Sequence, residues 1–584
     1  MGAFYRHINK RLSRKEGVGT LECSDGSYAC SDQERADLLN EYFSSVCTKD
    51  DNNIPQLSGV RPNPDAVMDN VVFDAAKIKR AIFKLKSNLS SGPDGIPPLL
   101  VKQLSTALAG PLSLIYTSFM SVGAIPDAWR RAVITPIYKG GPAGDTSNYR
   151  PVSLTSVFSK VMERVIAGNL TEYLMVNGLI NKQQHGFLRK RSTVTNLIET
   201  MHDWTLAVEN KQSVACAYID YSKAFDVVCH SKLMVKLASY GISGNLLSWM
   251  ESFLEGRSQV TRVGSSISSA HNVTSGVVQG SCLGPLLFLL YINDITDSLP
   301  SSCICKLYAD DLKLYTVISA DVDASSTLQP YLDAILKWSA AWQLTISYKK
   351  CAVMVAGCHR SDEKGDGVIA VSIGANKIAT AGSVKDLGVH VQHDLRFATH
   401  VNAIVAKARA RANLIHRCFI SKEPETLMRA FTTYVRPILE YASVIWSPYR
   451  VGEIKKIESV QRTFTKRIAG LTGKPYDSRL LLLGVESLEA RRLKQDLLYT
   501  YKILFGAVNV NYTDMFKLNN SLPTRGHSYK LFVQRCRLDG SKHFFSNRVV
   551  PSWNSLPATS EHFRSYRAFE CFINSIDVNC LRNV

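Results

Sequence analysis

Two adjacent carboxylates, Asp310 and Asp311, lie between two short apolar stretches, and a third carboxylate, Asp220, ends an apolar run ninety residues earlier. Three acidic side chains gathered on neighbouring strands can hold two Mg²⁺ ions about 3.5–4 Å apart. Such a pair of ions activates a hydroxyl nucleophile and stabilises a leaving pyrophosphate. The spacing therefore predicts nucleotidyl transfer at these three carboxylates, with a polymerase as the leading interpretation.

The residues on either side of the doublet have the pattern of two strands. Cys303–Tyr308 and Leu312–Val317 both alternate at the period of a half-buried strand. Carboxylates cluster at a buried sheet edge only where something compensates their charge, which favours a functional role for Asp310 and Asp311. A second doublet, Asp50-Asp51, lies in a polar run without this pattern, and we interpret it as a solvated turn.

The stretch around Asp220 predicts a strand, a turn and a helix. Residues 213–219 have the length and composition of a strand, so Asp220 projects from a strand end. A helix is expected from about His230 to Tyr240, ended by Gly241. Phe225 lies between strand and helix, where its ring could lie under the sugar of a bound nucleotide and exclude a 2′-hydroxyl. On spacing alone, the interpretation of Phe225 as a core aromatic is equally favoured.

A glycine-rich segment, residues 275–285, separates Asp220 from Asp310 and leads into an apolar run. Three glycines in this segment recur every four residues, at Gly276, Gly280 and Gly284. Glycine permits close approach of the backbone to a ligand, and Pro285 suits the first turn of a helix. The position of the segment between the carboxylates indicates that it shapes the same site.

These residues resemble the reverse transcriptase of non-LTR (LINE-type) retrotransposons, particularly the jockey-like group. The resemblance extends over nearly the whole chain, and its motifs follow the family's order. Further motifs look like those of the family's fingers, at Ser91–Ile96, Asn148–Leu154 and Gln184–Phe187, and of its primer grip, at Val384–Val389. The segment Ser222–Asp226 is similar to the non-LTR form of the first palm motif. This segment argues against the alternative of a group II intron or telomerase-like lineage.

The resemblance implies a role for each matching residue. Asp220, Asp310 and Asp311 would bind two Mg²⁺ ions, with Mn²⁺ as a substitute, and Phe225 would be the sugar gate. The remaining implied site residues are Arg150 and Lys139 on the triphosphate, Gln279 and Gly280 in the nucleotide pocket, and Lys350 as proton donor to pyrophosphate. Arginine suits phosphate because its rigid, charged fork donates two hydrogen bonds. Without the motif, the sequence favours equally the interpretation that Arg150 and Lys139 are solvated surface cations.

The implied substrates and partners are an RNA template, a DNA primer or target and deoxynucleoside triphosphates. A formal charge of +19 and a pI near 9.3 suit such polyanions, although a structural RNA-binding protein would have them too. No apolar run approaches 18 residues and no CxxC pair occurs, so we expect no membrane span and no zinc knuckle. We expect an intracellular protein, in nucleus and cytoplasm, and identify no targeting signal.

We predict an α+β fold of the right-hand polymerase type, with an antiparallel palm sheet and largely helical fingers and thumb. Residues 1–70 form a lead-in and linker in which Ser31 and Glu34 predict a helix cap. The further predicted parts are fingers and palm at 71–357, primer grip and thumb at 358–473, and a C-terminal region of unassigned role at 474–584.

The predicted thumb is strongly basic, because residues 401–470 contain thirteen Lys or Arg against five Glu. One apolar stripe at helical spacing consists of Ile454, Ile457, Val460, Phe464 and Ile468. Cations lie on the other faces, at Lys455, Lys456, Arg462, Lys466 and Arg467. Such cations are usually a solvated face, but here they are placed to grip an RNA:DNA hybrid. In the C-terminal region, the aromatics around Arg548 favour a small core over base stacking.

Upstream of Asp220 the sequence shows no Asp/Glu/Asn/His constellation of the apurinic-type endonuclease that family members usually carry. We therefore expect a polymerase-containing part of such an element that does not cleave its target. The alternative from another class is a catalytically silent nucleic-acid-binding protein, and the three intact carboxylates argue against it.

Overall fold

The computed structural model describes residues 17–57, 66–88, 90–319, 321–357, 369–519 and 526–582. Residues 1–16 and 58–65 of the predicted lead-in lie outside the described residues. The fold is mixed α/β. Within the described ranges, no helix combines the length and apolar character needed to cross a membrane.

The helices, in chain order, are α1 (Asp32–Ser45), α2 (Ala75–Phe83), α3 (Pro98–Gln103), α4 (Ser105–Val122), α5 (Asp127–Arg130), α6 (Val157–Val176), α7 (Thr193–Glu209), α8 (His230–Ser239), α9 (Gly244–Leu254), α10 (Gly284–Ile292), α11 (Ala324–Ala341), α12 (Ala398–Cys418), α13 (Pro424–Tyr434), α14 (Arg436–Glu440), α15 (Ser443–Trp446), α16 (Val451–Lys466), α17 (Tyr476–Leu483), α18 (Leu488–Leu504), α19 (Tyr512–Met515), α20 (Asp539–Lys542), α21 (Phe545–Asn554) and α22 (Tyr566–Ser575).

The strands, in chain order, are β1 (Leu21–Glu22), β2 (Tyr28–Ala29), β3 (Arg131–Tyr138), β4 (Tyr149–Leu154), β5 (Ser213–Ile219), β6 (Arg257–Val263), β7 (Ser266–Ile267), β8 (His271–Val273), β9 (Ile304–Tyr308), β10 (Asp311–Ile318), β11 (Ala352–Ala356), β12 (Ser372–Ile373), β13 (Asn376–Lys377), β14 (Ala379–Thr380), β15 (Ser383–Asp386) and β16 (Val389–Gln392).

A five-stranded central sheet has the order β14-β11-β5-β10-β9. Its four longer strands pair antiparallel, and β14 adds to β11 in parallel. Because side chains alternate between the faces of a strand, Ala215 and Ala217 of β5 enter one core while Val214 and Cys216 enter another. Burial on both faces explains why β5 reads as a continuous apolar run. The predicted strands at 213–219 and on both sides of the doublet are confirmed.

A second sheet has the order β4-β3-β6-β7, and β8 also pairs with β6. β3 runs antiparallel to β4 and parallel to β6. Helix α1 packs on β6. The cap predicted for α1 is confirmed, because Ser31 accepts from the backbone N–H of Glu34 while the Glu34 side chain accepts from that of Ser31.

Several predicted helical features are also confirmed. α8 follows the first palm-like motif and is succeeded by Gly241 at φ +78°. α10 begins at Gly284-Pro285 and is buried on every face, which explains its uniformly apolar sequence. On α16 the apolar stripe faces inward, with Ile457, Val460 and Phe464 each no more than 1% exposed.

The C-terminal residues share one hydrophobic core with α7, α12 and α16. Phe545 and Trp553 are fully buried in this core, so the C-terminal aromatics do pack in a core, but it is this large shared core and not the small one that was predicted. This core continues onto one face of the central sheet through Tyr315 of β10. The C-terminal region is therefore packed into the body of the protein.

The Asp50-Asp51 doublet is not the purely solvated turn that we expected. Asp51 forms an ion pair of 3.0 Å with Lys232, whose side chain is fully buried, and Asp50 accepts a hydrogen bond of 2.5 Å from Ser231. Both partners lie on α8. The sequence pattern correctly excluded a strand here, but it could not show this long-range contact.

Candidate active site

The carboxylate doublet lies at the tip of the β9–β10 hairpin. Asp311 is the first residue of β10 and pairs with Tyr308, so Ala309 and Asp310 form a two-residue turn. Ala309 has φ +58°, in the left-handed region that residues other than glycine rarely adopt. Asp310 is half-buried and Asp311 is exposed. The tight turn therefore projects both carboxylates from one end of the sheet.

Asp220 reaches the same end of the sheet. It directly follows β5, whose last residue, Ile219, pairs with Leu312 of β10. One further step of this antiparallel register places Asp220 beside Asp311. The central sheet thus brings together the three carboxylates that the sequence singled out.

The electrostatics confirm that the three carboxylates influence one another. Although Asp311 is exposed, the protein atoms around its carboxylate keep part of its water away, and this desolvation, followed by the charges of Asp310 and Asp220, raises the pKa of Asp311 to about 6. Burial and the charge of Asp220 also raise the pKa of Asp310. Lys350 partly offsets this repulsion, because its Nζ lies 3.1 Å from Oδ1 of Asp220. In the described part of the chain, no group of three His, Cys, Asp or Glu side chains is arranged to hold a metal ion.

A second hairpin, β15–β16, lines one cleft together with Asp220 and Asp311. Residues 384–387 face Asp220, Asp311 and Lys350 across it. The hairpin is tied to β10 by a buried ion pair of 2.5 Å between Lys313 Nζ and Asp386 Oδ2. This pair fixes the Val384–Val389 motif next to the strand that begins with Asp311.

Cations from three segments lie beyond the carboxylates. Arg150 is on β4 and pairs across the sheet with Ile137, while Lys139 follows β3; both side chains are exposed. Partial burial, then the charges of Lys223 and Arg150, lower the pKa of Lys139. Lys223 itself has φ +50° and donates to the carbonyl of Ser147 at 3.2 Å. Several positive charges are thus held close together, and an anionic ligand would relieve their mutual repulsion.

Phe225 packs on the core, as one of the two interpretations from sequence requires, and its role as a sugar gate stays a prediction. Its half-buried ring stacks on Phe288 with centroids 4.3 Å apart and packs against the core that contains Phe288. On another side it meets the exposed ring of Phe187 edge-on at 6.1 Å. The ring is anchored on the core while part of it remains accessible.

The glycine-rich segment lies against β4 and the first palm-like motif. Gly280 has φ +101°, and a Cβ there would lie 2.8 Å from the carbonyl oxygen of Ser153, so only glycine fits without displacement. The backbone of Gln279 accepts from Ser153 N–H at 2.8 Å. Its side-chain Nε2 donates to Oδ1 of Asp226 at 2.5 Å. Gln279 and Gly280 therefore connect the second sheet to the segment that carries Phe225.

The family described as "Reverse transcriptase (RNA-dependent DNA polymerase)" matches residues 137–391. The matched range contains both hairpins, Asp220 and the glycine-rich segment. Residues 137–391 are a reverse transcriptase domain.

Individual relatives agree with this assignment. The chain is similar to the "Probable RNA-directed DNA polymerase from transposon X-element" of Drosophila melanogaster, with 26% identity over 483 residues, which is 80% of this chain and 52% of the relative. It is 29% identical over 404 residues to the "RNA-directed DNA polymerase from mobile element jockey" of the same species, covering 68% of this chain and 43% of the relative. The chain spans about half the length of the curated relatives it matches. The predicted resemblance to jockey-like non-LTR elements is confirmed.

Three residues around the reverse transcriptase domain's carboxylates were missed by sequence reasoning. Lys223 and Asp226 belong to the segment that was recognised through Phe225, but neither was given a role. Gln184 belongs to a recognised finger-like motif, and its contact with the β9–β10 turn spans 125 positions. A lysine and an aspartate beside the proposed sugar gate were a usable signal, whereas the motif that contains Gln184 gave no indication of its contact with the β9–β10 turn.

Proposed function

We propose that this chain is the RNA-directed DNA polymerase of a non-LTR retrotransposon and adds deoxynucleotides to a DNA 3′-hydroxyl on an RNA template. The observation that carries the proposal is the meeting of Asp220, Asp310 and Asp311 at one end of the central sheet, inside the reverse transcriptase domain. The cations beyond them supply the charge that a triphosphate needs.

The three carboxylates suit divalent cations. They are oxygen donors, which Mg²⁺ and Mn²⁺ prefer. Burial and then repulsion from neighbouring carboxylates raise the pKa of Asp310 and Asp311, and a cation between the carboxylates would remove that repulsion. Two such ions would activate the 3′-hydroxyl and stabilise charge on the leaving pyrophosphate. The carboxylates must turn from their present positions to hold them, and Asp220 must exchange its contact with Lys350 for the ion.

The remaining residues bind and orient the substrate. Arg150 and Lys139 hold the triphosphate, with Gln279 and Gly280 shaping the pocket beside it. Lys350 would donate a proton to pyrophosphate, and its Nζ, 3.1 Å from Oδ1 of Asp220, supports this role. Phe225 lies under the sugar and excludes a 2′-hydroxyl.

In this proposal the central sheet is the palm of a right-hand polymerase, with the fingers included in residues 71–357. Residues 358–473 supply the primer grip, at the β15–β16 hairpin, and a helical thumb that includes α12 and α16. The template and primer then lie between the basic helices and the carboxylates. The activity belongs inside the cell, in nucleus or cytoplasm, where both nucleic acids occur.

Primer extension by the purified chain tests the proposal. The assay supplies an RNA template annealed to a DNA primer, deoxynucleotides and Mg²⁺, and a parallel reaction contains Mn²⁺. Template-dependent extension in either reaction supports the polymerase. A chain that binds the hybrid but extends no primer with either ion would be the catalytically silent binding protein.

Replacement of Phe225 by valine should increase incorporation of ribonucleotides relative to deoxynucleotides. The smaller side chain leaves room for a 2′-hydroxyl, and shape exclusion of this size is worth about 10–200-fold in discrimination. The measurement compares kcat/KM for the two sugars. The matched control is Phe119→Val, because Phe119 is also a half-buried aromatic packed on the same core. An unchanged sugar ratio for Phe225→Val would make Phe225 a core aromatic only.

Replacement of four exposed cations on and just after α16 by alanine should weaken binding of the RNA:DNA hybrid and flatten its salt dependence. The four are Lys455, Lys456, Lys466 and Arg467. Lys456 and Arg467 donate to neutral partners on α12, Asn402 and Asn413, so their charges stay available for phosphate. Each lost phosphate contact lowers the log–log salt slope by about 0.9 for duplex DNA.

The control for this experiment removes the same charge from α2 and the residue after it, at Lys77, Lys79, Arg80 and Lys84. Hybrid affinity is measured over a range of salt concentrations for parent, thumb variant and control. Equal slopes for the thumb variant and the parent would show that the cations of α16 are a solvated face.

A further inference from the structure

The turn that carries Asp310 is contacted by residues 183–186, a segment to which the proposed reaction assigns no role. Two backbone hydrogen bonds join residues 183–185 to β9: Leu307 N–H donates to the carbonyl of Gln183 at 3.0 Å, and His185 N–H donates to that of Leu307 at 2.9 Å. β9 is an edge strand of the central sheet. The segment therefore covers the end of that edge, next to the turn.

The side chain of Gln184 reaches the turn itself. Its Oε1 accepts from the backbone N–H of Ala309 at 2.9 Å and from that of Gly186 at 2.7 Å. Gln184 is only 2% exposed, so water cannot readily take over these two contacts. Two backbone donors also leave no ambiguity about which end of the amide is oxygen.

Ala309 is the residue whose conformation needs support. It is 4% exposed and has φ +58°, although it carries a Cβ. A non-glycine residue persists in this region when its surroundings determine it. The amide oxygen of Gln184 meets the N–H of this residue, which directly precedes Asp310.

Gly186 shows how closely the segment approaches the turn. A Cβ at position 186 would lie 2.5 Å from the backbone nitrogen of Ala309 and 3.2 Å from its Cα. Real Cβ atoms do not come this close to backbone atoms, so any larger residue would push the turn away. Gly186 and Gln184 thus define the position of Ala309 by contact and by hydrogen bond.

The geometry points to Gln184 as a positioning residue of the polymerase: its side-chain amide fixes the Ala309-Asp310 turn so that Asp310 and Asp311 are presented together with Asp220. This inference rests on the proposed function for its consequence in catalysis. Its structural part, the fixing of the turn, holds for the chain whether or not it extends primers.

The test uses the full chain and the substitution Gln184→Met, which keeps the length of the side chain and removes the acceptor. Misplaced reacting groups lower the rate of chemistry without weakening the grip on substrates. We expect kcat for primer extension to fall by between about 10- and 100-fold. KM for the deoxynucleotide and affinity for the hybrid should change by less than about threefold. Hydrogen exchange of the hairpin at residues 304–318 should become faster.

The matched control is Gln329→Met. Gln329, on α11, also accepts a backbone N–H through Oε1, from Ser372 at 3.0 Å, but Ser372 belongs to β12 and not to the Ala309-Asp310 turn. This control should leave kcat and exchange of the 304–318 hairpin unchanged. A second variant, Gly186→Ala, keeps the Gln184 amide but crowds both it and the turn, because the added Cβ would lie 3.0 Å from Oε1 of Gln184 and 2.5 Å from the backbone nitrogen of Ala309. It should reproduce the fall in kcat and the faster exchange.

Different outcomes separate the two proposals. Parental kcat, or parental exchange at 304–318, in Gln184→Met overturns the positioning role, and so does an equal loss of kcat in Gln329→Met. If the parent chain extends no primer, the proposed function fails, and the exchange measurements alone decide whether Gln184 fixes the turn.

Discussion

Replacement of Asp310 by alanine is expected to abolish primer extension while the RNA:DNA hybrid still binds. The carboxylate lies at the hairpin tip beside Asp220 and Asp311, and its proposed partners are metal ions rather than the duplex. Loss of a metal contact that is made in the transition state costs several kcal/mol, which corresponds to at least about 100-fold in rate. Single-turnover extension and hybrid affinity, measured on the same preparation, separate chemistry from binding.

The control for Asp310→Ala is Asp297→Ala. Burial also raises the pKa of Asp297, but this carboxylate follows α10, and the charges that act on it are those of Asp294 and Lys236. Its removal should leave the rate of extension unchanged. An Asp310→Ala protein that extends primers at close to the parental rate would show that the three carboxylates are not the catalytic group.

Replacement of Arg548 by methionine should destabilise the protein by about 3–5 kcal/mol, since it leaves a buried carboxylate without its partner. Arg548, on α21, donates through Nε and Nη2 to the two oxygens of Asp496 on α18, each at 2.9 Å. Nη2 also donates to the carbonyl of Val444 at 2.9 Å. The side chains of Arg548 and Asp496 are 14% and 5% exposed. Denaturant unfolding of parent and variant measures the difference.

A matched arginine pair lies on the surface of the same region. Arg564 and Glu561 form an ion pair with side chains that are 82% and 78% exposed. An exposed pair contributes about 0–1 kcal/mol, so Arg564→Met should unfold at nearly the parental denaturant concentration. Equal losses from the two arginine substitutions would show that the contact with Asp496 does not hold the C-terminal region in place.

The strands and several helices around the candidate site could be predicted from sequence because their signals are local. Alternation marked the strands beside Asp310, and a continuous apolar run marked β5. Ser31 and Glu34, three residues apart, marked the start of α1. A motif order shared with a known family then indicated which carboxylates would come together, although not how the sheet would do it.

The parts that escaped prediction depend on contacts between distant positions. Gln184 reaches Ala309, and Asp51 reaches Lys232, across 125 and 181 positions. A glutamine in a finger-like motif and an aspartate in a polar run have no local pattern that reveals such partners. The same is true of Arg548, whose sequence surroundings suggested aromatic packing but not the carboxylate that it pairs with.

The core that joins residues 545–573 to α12, α16 and the central sheet has a consequence during synthesis. A chain emerging from the ribosome displays the carboxylate hairpin well before Phe545, Trp553 and Phe569, which are all fully buried in the finished protein. Until these residues emerge, α18, which contacts both α21 and α22, lacks part of its apolar partner in this core. Nascent chains that stop before this point should therefore engage chaperones, and a chain truncated there would leave this core incomplete.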